Sequence, residues 1–193
     1  MNETKKLRVA LFFGGVSSEH EVSCVSASTW LRALAQAPCA DRYEVFPVGI
    51  TKQGRWLACS PTPEAMADGS WEKGADCTPC VLSPDRTDHG IWLLKDGKAE
   101  LVHIDICAPV MHGKNGEDGT IQGLFELARI PYVGCGVLGS AVCMDKAVAN
   151  TIMDAAGVPH CKWASAIRAE LEGDHKTLLD SIEQRLGYPI FVK

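Results

Sequence analysis

Short apolar runs alternate with amphipathic segments along this 193-residue chain, a pattern typical of strands and helices that follow one another. The apolar run over residues 7–13 predicts a buried strand, and Gly14-Gly15 predicts a tight turn directly after it. A helix is predicted over residues 21–37 and a second strand over residues 43–50. The helix is indicated by apolar residues at roughly helical spacing: Val22, Val25, Leu31 and Leu34. A strand, helix and strand in this order form a unit of parallel strands with a right-handed crossover, so the chain begins as an α/β protein.

The segment 51–104 has a different hydrophobic pattern, with short strand-like runs and scattered prolines. Its dipeptide Asp96-Gly97 separates two apolar runs, 91–94 and 99–104, and this arrangement predicts a β-hairpin with a two-residue turn. We expect an insertion at the edge of the sheet. The α/β pattern then returns, with strands predicted at 105–111, 131–133, 161–167 and 188–193 and helices at 120–128, 140–156 and 175–186.

The predicted elements form two units. Residues 1–139 are expected to be a parallel-sheet substrate domain that carries the hairpin insertion, and residues 140–193 are expected to begin a second domain. The chain ends inside the last predicted strand, directly after an apolar run and Lys193. Because domains seldom finish there, we expect the chain to be a truncated part of a longer protein.

Composition narrows the class of partner. Hydrophobic residues make up 46% of the chain and charged residues 22%, so a core can form. A net charge of -5 argues against nucleic acid and anionic membranes, which require clustered Lys and Arg, and favours a small-molecule substrate. The apolar run near the N-terminus is too short for a signal peptide or a membrane span, and this favours the cytoplasm.

The chain contains nine cysteines, an odd number. Four of them lie in apolar stretches and are interpreted as reduced packing residues: Cys24, Cys107, Cys135 and Cys143. The spacing Cys77-Thr-Pro-Cys80 is compatible with a redox or zinc motif, but no second ligand pair accompanies it. A loop is the preferred interpretation of this segment, and no metal site is predicted in the chain.

The turn after the first strand contains the first candidate site. Its glycines allow close backbone approach, and the following helix N-terminus offers amide donors to a carboxylate or phosphate. Ser17 and Ser18 are expected to cap that helix, and Glu19 is a counter-charge for a ligand amine. A plainer alternative is that Glu19 and Glu21 only favour the helix dipole. His20 is interpreted as a solvated helix residue.

A second candidate site follows the strand that ends near Met111. Residues 112–119 bring together a histidine, a lysine, two acids and several glycines. His112 follows the strand directly, so its imidazole should lie at the same carboxyl edge of the sheet as Glu19. Two loops that meet at one edge strengthen the case for a ligand site there.

Three further features do not indicate a binding or catalytic role by themselves. The spacing Gly134-x-Gly136-x-x-Gly139 matches a dinucleotide fingerprint, but the acid expected about twenty residues later is missing, so turn glycines explain it adequately. Lys146 is expected in the middle of a helix, where a solvated lysine is ordinary, and Lys193 follows an apolar run.

Four segments taken together resemble the D-alanine-D-alanine ligases of the ATP-grasp superfamily. They occur in this order, and the resemblance extends over nearly the whole chain, from Val9 to Lys193: GGVSSEHEVSCVSA, HGKNGEDGTIQGLFELARIPYVGC, SAVCMDKAVAN and YPIFVK. The middle segment is most similar to the branch that includes D-Ala-D-Ser and D-Ala-D-Lac ligases. The resemblance implies a Rossmann-like N-terminal domain that precedes an ATP-grasp domain, of which only the beginning of the central subdomain is present here.

The resemblance also implies a reaction and its residues. ATP would phosphorylate the carboxylate of one D-alanine, and the amine of a second would attack the acyl phosphate to form the dipeptide used in peptidoglycan. Glu19 and His112 would be the catalytic residues, with Glu19 on the ammonium of the first D-alanine and His112 beside its carboxylate. The substrate pocket would be formed by Ser18, Glu19, His112, Gly113 and Glu117, and the phosphates would be bound by Lys146 and Lys193.

The resemblance leaves several alternatives open. The Mg²⁺ ligands, the glycine loop over the phosphates and an arginine would follow Lys193, so this chain alone is expected to be inactive. The acceptor could be D-serine or D-lactate instead of D-alanine. Another ATP-grasp ligase and a stand-alone module that binds a D-amino acid are further alternatives. A homodimer is expected from the family only.

Overall fold

A computed structural model describes residues 5–192, which divide after Ala141 into two compact units. The strands are β1 (Leu7–Gly14), β2 (Tyr43–Ile50), β3 (Trp56–Ala58), β4 (Thr78–Leu82), β5 (Gly90–Lys95), β6 (Lys98–His103) and β7 (Ile106–Pro109). The helices are α1 (His20–Leu34), α2 (Cys39–Arg42), α3 (Pro63–Ala67), α4 (Thr120–Ala128), α5 (Val137–Met144), α6 (Lys146–Ala155), α7 (Arg168–Glu172) and α8 (His175–Leu186). A 3-10 helix spans Ser70–Lys73.

The first unit is built on one seven-stranded sheet with the order β6-β5-β4-β3-β2-β1-β7. Strand β1 pairs in parallel with β2 on one side and with β7 on the other, and this confirms the predicted α/β core. The remaining strands are antiparallel to their neighbours and extend the same sheet. The predicted hairpin is confirmed as β5 and β6, with Asp96 and Gly97 at its turn, and it forms the edge of the sheet.

Both faces of strand β1 are buried, because its side chains pack alternately into two hydrophobic cores. Phe12 lies in the core shared with α4, where its ring contacts Phe125 at a centroid distance of 5.2 Å. Leu11 and Phe13 alternate with it and lie in the core on the α1 side. A strand with both faces buried accounts for the continuous apolar run in the sequence.

Helix α1 packs through a different face from the one that the apolar spacing predicts. Of the apolar residues that indicated this helix, Val22 and Val25 are each 52% exposed, whereas Leu31 packs against the core. Apart from His20, the buried residues of α1 are small: Ser23, Cys24, Ala27 and Ser28. Small side chains permit close approach to the strand, and hydrophobic periodicity misses them because two of the four are serines.

The single helix expected over residues 140–156 is wrong, because the segment is two helices, α5 and α6, separated at Asp145. The Asp145 backbone is extended (φ -84°, ψ 105°), and its carboxylate accepts hydrogen bonds from the amides of Ala147 and Val148 at 3.0 Å each. This is an N-cap, which satisfies amides that a helix start leaves unpaired. Lys146 is therefore the first residue of α6 and not a mid-helix residue.

Replacing the Asp145 cap should destabilise α6 selectively. We expect Asp145→Ala to cost about 1 kcal/mol, because two amides lose their acceptor. Asp145→Asn retains an acceptor oxygen and should behave nearly as the wild type. The measurement is amide hydrogen exchange, in which protection should fall at Ala147 and Val148 while α4 in the first unit is unchanged; equal protection in both variants would contradict the cap.

Three predicted strands are absent from the described residues. Residues 131–133 contribute only one isolated parallel bridge, between Tyr132 and Cys107. Residues 161–167 and 189–192 have no regular structure. A strand requires a hydrogen-bonded neighbour, and every strand within residues 5–192 belongs to the first unit. Lys193 lies outside the described residues.

The cysteines also differ in part from expectation. Cys24 and Cys107 are buried as predicted, but Cys135 and Cys143 are exposed, so their interpretation as packing residues is wrong. The Cys77-x-x-Cys80 segment is not a loop, since Cys80 lies within β4. Among the described residues, none of the helices is long and apolar enough to cross a lipid bilayer.

Candidate functional site

The turn after β1 is a tight backbone structure held by its own amides. Gly14 and Gly15 have φ values of 80° and 102°, which side-chain-bearing residues rarely adopt. A Cβ on Gly14 would lie 2.3 Å from the carbonyl oxygen of Ile50. The Gly15 amide donates to that same carbonyl at 2.8 Å. The Gly15 amide is therefore already used within the turn and is not free for a ligand.

Ser23 joins the ends of two strands beneath this turn. Its hydroxyl accepts from the Gly14 amide at 2.8 Å and donates to the Val110 carbonyl at 2.6 Å. Ser23 is 0% exposed, so neither partner has water as a substitute. The bond pair fixes the end of β1 against the segment that leads from β7 into the His112 loop. Two candidate loops are thereby held by one buried hydroxyl.

His20 is 3% exposed, and the expectation of a solvated residue is wrong. Its Nδ1 lies 2.9 Å from the carbonyl oxygen of Gly15. A carbonyl only accepts, so Nδ1 carries the proton in this contact. The Nε2 atom lies 3.8 Å from Glu72 Oε1 on the 3-10 helix. His20 thus stabilises the glycine turn through its hydrogen bond to the Gly15 carbonyl.

The first residues of α1 present Glu19 beside the other loop. Ser17 does not act as the helix cap that was expected, because the N-cap position is Glu19; the Ser17 hydroxyl accepts from the Glu19 amide at 3.1 Å. Ser18 lies exposed in the turn between them. A Cβ on Gly113 would lie 2.4 Å from Glu19 Oε2 and 2.8 Å from Ser17 Oγ. The Glu19 carboxylate therefore lies directly against the Gly113 backbone.

The Gly113 position accepts no side chain. Its φ is 68°, in the region that favours glycine, and any Cβ would displace the Glu19 carboxylate. The structure thus brings together the turn after β1 and the loop after β7, at the carboxyl edge of the sheet. In open α/β sheets this edge is where ligands bind.

His112 is held between α1 and its own loop. Its Nε2 lies 3.0 Å from Ser26 Oγ, and its Nδ1 lies 3.9 Å from Glu117 Oε1. The second oxygen of Glu117 accepts from the Gly113 amide at 3.0 Å. Since about a third of the His112 side chain is exposed (32%), its ring can reach a ligand while Ser26 orients it.

The remainder of the loop is closed by Asp118, whose carboxylate accepts from the amides of Asn115 and Thr120 at 2.9 and 3.0 Å. Burial opposes ionisation of Asp118, but these hydrogen bonds outweigh it and hold its pKa below the usual value. Gln122 on α4 donates to the Gly116 carbonyl at 2.8 Å in a buried contact. These hydrogen bonds hold the loop that contains His112 and Gly113 in place.

The two lysines predicted to bind phosphate, Lys146 and Lys193, lie later in the sequence than the turn after β1 and the loop after β7. Lys146 belongs to the second unit, is exposed, and its ammonium donates to the Cys143 carbonyl at 2.7 Å. Lys193 is outside residues 5–192. Within that range, no group of three or more His, Cys, Asp and Glu side chains is arranged to hold a metal ion.

Sequence reasoning missed Ser23, Ser26 and the buried role of His20. Serine in an amphipathic helix usually marks the solvent side, so composition offered no signal. A usable signal was their spacing, because Ser23 and Ser26 lie three residues apart on one face of the helix that starts at the glycine turn.

Comparison with known proteins agrees with this geometry. Residues 8–135 match the family model described as D-ala D-ala ligase N-terminus. A D-alanine-D-alanine ligase of Caldicellulosiruptor bescii is 45% identical over 188 residues, which are 97% of this chain and 50% of the relative. The chain therefore spans about half the length of the curated relatives it matches.

Two solved structures are similar in fold over the same range. The D-Ala:D-Ser ligase VanG of Enterococcus faecalis superposes with a TM-score of 0.80 at 35% identity, covering 96% of this chain and 51% of the other. The D-alanine-D-alanine ligase of Coxiella burnetii superposes with a TM-score of 0.74 at 33% identity, covering 91% of this chain and 50% of the other. The two candidate loops meet at one edge of the sheet, and the family model matches both of them. The chain therefore belongs to the D-alanine-D-alanine ligase family and matches the N-terminal part of its members.

Proposed function

We propose that the protein to which this chain belongs is an ATP-dependent D-alanine-D-alanine ligase, and that this part binds the first D-alanine. The observation that supports the proposal most directly is the Glu19 carboxylate against Gly113, which joins the two loops that contain the family's motifs. The family match and the relatives support the same reaction. The product would be the dipeptide used in peptidoglycan, formed in the cytoplasm.

Each residue of the pocket has a distinct task in this proposal. Glu19 binds the ammonium of the first D-alanine, and Ser18 and the Gly113 backbone line the pocket beside it. His112 lies next to the carboxylate that accepts the γ-phosphoryl group of ATP. Glu117 holds Gly113 and lies near the imidazole, so it orients the loop and does not react. The amine of the second D-alanine then attacks the acyl phosphate, and phosphate leaves.

The nucleotide belongs to the second unit in this proposal. Lys146 is an exposed ammonium at the start of α6, and a compact point charge of this kind suits a phosphate. Lys193 is proposed as the second phosphate lysine from the motif alone. Mg²⁺ would neutralise the charge that develops on the transferred phosphoryl group. We place the functional boundary between the substrate part and the nucleotide part at residues 139–140, and we propose a homodimer.

The test of the function is coupled ATP turnover by the full-length protein and by the 193-residue chain in parallel. We expect phosphate release that requires D-alanine in the full-length protein and none from the chain alone, because the chain spans half of its relatives. D-serine and D-lactate are added separately as acceptors in the presence of D-alanine. No D-alanine-dependent turnover in the full-length protein would contradict the ligase, and turnover by the chain alone would contradict the division of tasks.

The acceptor D-serine is the second candidate, since the D-Ala:D-Ser ligase VanG superposes over 96% of the chain. If D-serine is the acceptor, the full-length protein should form D-Ala-D-Ser when D-alanine and D-serine are supplied at equal concentration. Mass spectrometry of the product distinguishes D-Ala-D-Ala from D-Ala-D-Ser directly. A stand-alone binding module would instead bind D-alanine in calorimetry without any turnover in the full-length protein.

A further inference from the structure

Two thiols face each other where the pairing of β3 with β4 ends. The last paired residues are Ala58 on β3 and Thr78 on β4, in antiparallel register. One more step along that register places Cys59 directly opposite Cys77. Both are free thiols in the structure.

The backbone geometry makes this a close pair. The Cys59 amide donates to Pro47 on the neighbouring strand at 3.2 Å, and the Cys77 amide donates to Gly74 at 3.3 Å. Opposite residues that exchange no backbone hydrogen bonds have Cα atoms about 4.5 Å apart. Disulfides span Cα distances of about 4.4–6.8 Å, so the pair falls within the range that can be bridged.

The two side chains also lie on the same side of the sheet. Cys59 is part of the core on the α1 side, and Cys77 packs against that same core. Cys80 belongs to the opposite core, because side chains alternate along β4. The Cys77-x-x-Cys80 spacing therefore cannot close a disulfide, and the partner available to Cys77 is Cys59, eighteen residues earlier in the sequence.

We propose that Cys59 and Cys77 are a reversible oxidation site and form an intramolecular disulfide on reaction with a low-molecular-weight disulfide such as glutathione disulfide. The half-exposed Cys77 thiolate attacks one sulfur of the reagent and releases one glutathione thiolate. The Cys59 thiolate then attacks the Cys77 sulfur and displaces the second glutathione. The protein loses two electrons and two protons, and the reagent is reduced to two thiols.

The surroundings determine how fast this reaction runs. Burial raises the pKa of both thiols, that of Cys59 most strongly. Since the thiolate is the nucleophile, the rate should increase with pH throughout the range from 7 to 9. The Cys77 thiol at present donates to the Trp71 carbonyl at 3.1 Å, and that oxygen keeps the Gly74 amide as a partner after oxidation.

The disulfide would close the segment 60–76, which contains α3 and the 3-10 helix. Trp71 in that segment packs on the ring of Phe13 at a centroid distance of 4.8 Å, and Glu72 lies beside His20. A covalent link across the base of the segment reduces the freedom of the unfolded chain. Oxidation should therefore raise the thermal midpoint of the first unit.

The experiment uses the chain with four other cysteines replaced by serine to prevent side reactions: Cys39, Cys135, Cys143 and Cys161. The protein is incubated with glutathione disulfide at pH 8.5, alkylated and digested with trypsin without reduction. Cleavage after Lys and Arg releases fragments 56–73 and 74–86, which hold Cys59 and Cys77 respectively. We expect these two fragments to be joined, and to separate on reduction.

The matched variants assign the bond, because fragment 74–86 also holds Cys80. Cys80→Ser should retain the joined fragments and the rise in thermal midpoint, whereas Cys77→Ser should lose both. Serine at position 77 keeps a donor for the Trp71 carbonyl, so the variant is expected to fold. A joined product that survives in Cys77→Ser, or glutathione that stays on Cys77 without reaching Cys59, would overturn the proposal, as would complete alkylation of both thiols.

Discussion

In the full-length protein, Glu19→Gln should lower kcat/KM for D-alanine by about 30- to 1,000-fold, mainly through a higher KM for the first D-alanine. The substitution keeps the size and shape of the side chain but removes the charge that would pair with the substrate ammonium. The Glu19 carboxylate lies against Gly113, and the side-chain amide of glutamine would occupy the same space. The measurement is the steady-state rate of coupled ATP turnover as a function of D-alanine concentration.

The control for this prediction lies two residues away, in the first turn of α1. The Glu21 carboxylate forms an exposed ion pair with Lys52, and the bond to Lys52 lowers the pKa of Glu21. Exposed pairs of this kind contribute little, so Glu21→Gln should stay within about twofold of the wild-type kcat/KM. If both variants lost activity equally, the effect of Glu19 would be the general charge of the helix start, which is the plainer alternative for these acids. If neither lost activity, the assignment of Glu19 to the ammonium would be wrong.

The parts of the fold that the sequence predicted are those specified by their own residues. Strand β2 and helix α4 have the predicted bounds, Tyr43–Ile50 and Thr120–Ala128, because each has a clear apolar pattern between strong boundaries. The turn at Asp96-Gly97 likewise determines its hairpin locally. The proximity of Glu19 to the second loop followed from topology, since parallel strands bring their carboxyl ends to one edge.

The features that the sequence did not predict depend on tertiary contacts or, at Asp145, on a local side-chain cap. His20 is buried because the glycine turn bends back over it, and nothing in its neighbours along the chain indicates that. The break at Asp145 depends on a side chain that caps instead of continuing the helix. Cys77 faces Cys59 and not Cys80 because β4 is a strand, so the opposite residue matters more than sequence spacing. The roles of all the proposed site residues stay predictions: Ser18, Glu19, His112, Gly113, Glu117, Lys146 and Lys193.

Ser23→Ala should destabilise the first unit by about 2–4 kcal/mol, which is large for the loss of one oxygen atom. The hydroxyl serves two buried backbone groups, the Gly14 amide and the Val110 carbonyl. Alanine leaves both without a partner in a place that is 0% exposed, and each unpaired group costs about 1–3 kcal/mol. The measurement is urea unfolding of the 193-residue chain, followed by the fluorescence of its tryptophans.

Ser28→Ala provides the matched control, because Ser28 is equally buried at 1% exposure on the same face of α1. Its hydroxyl donates to the Val25 carbonyl of its own helix and accepts from Arg32 at 3.3 Å, so no buried strand group depends on it. Its loss should cost under about 1 kcal/mol. Because Ser23 ties the end of β1 to the segment before His112, amide exchange at Gly14 should also accelerate in Ser23→Ala alone. Equal destabilisation by the two substitutions would mean that the helix packing, and not the bond between the two site loops, is what Ser23 provides.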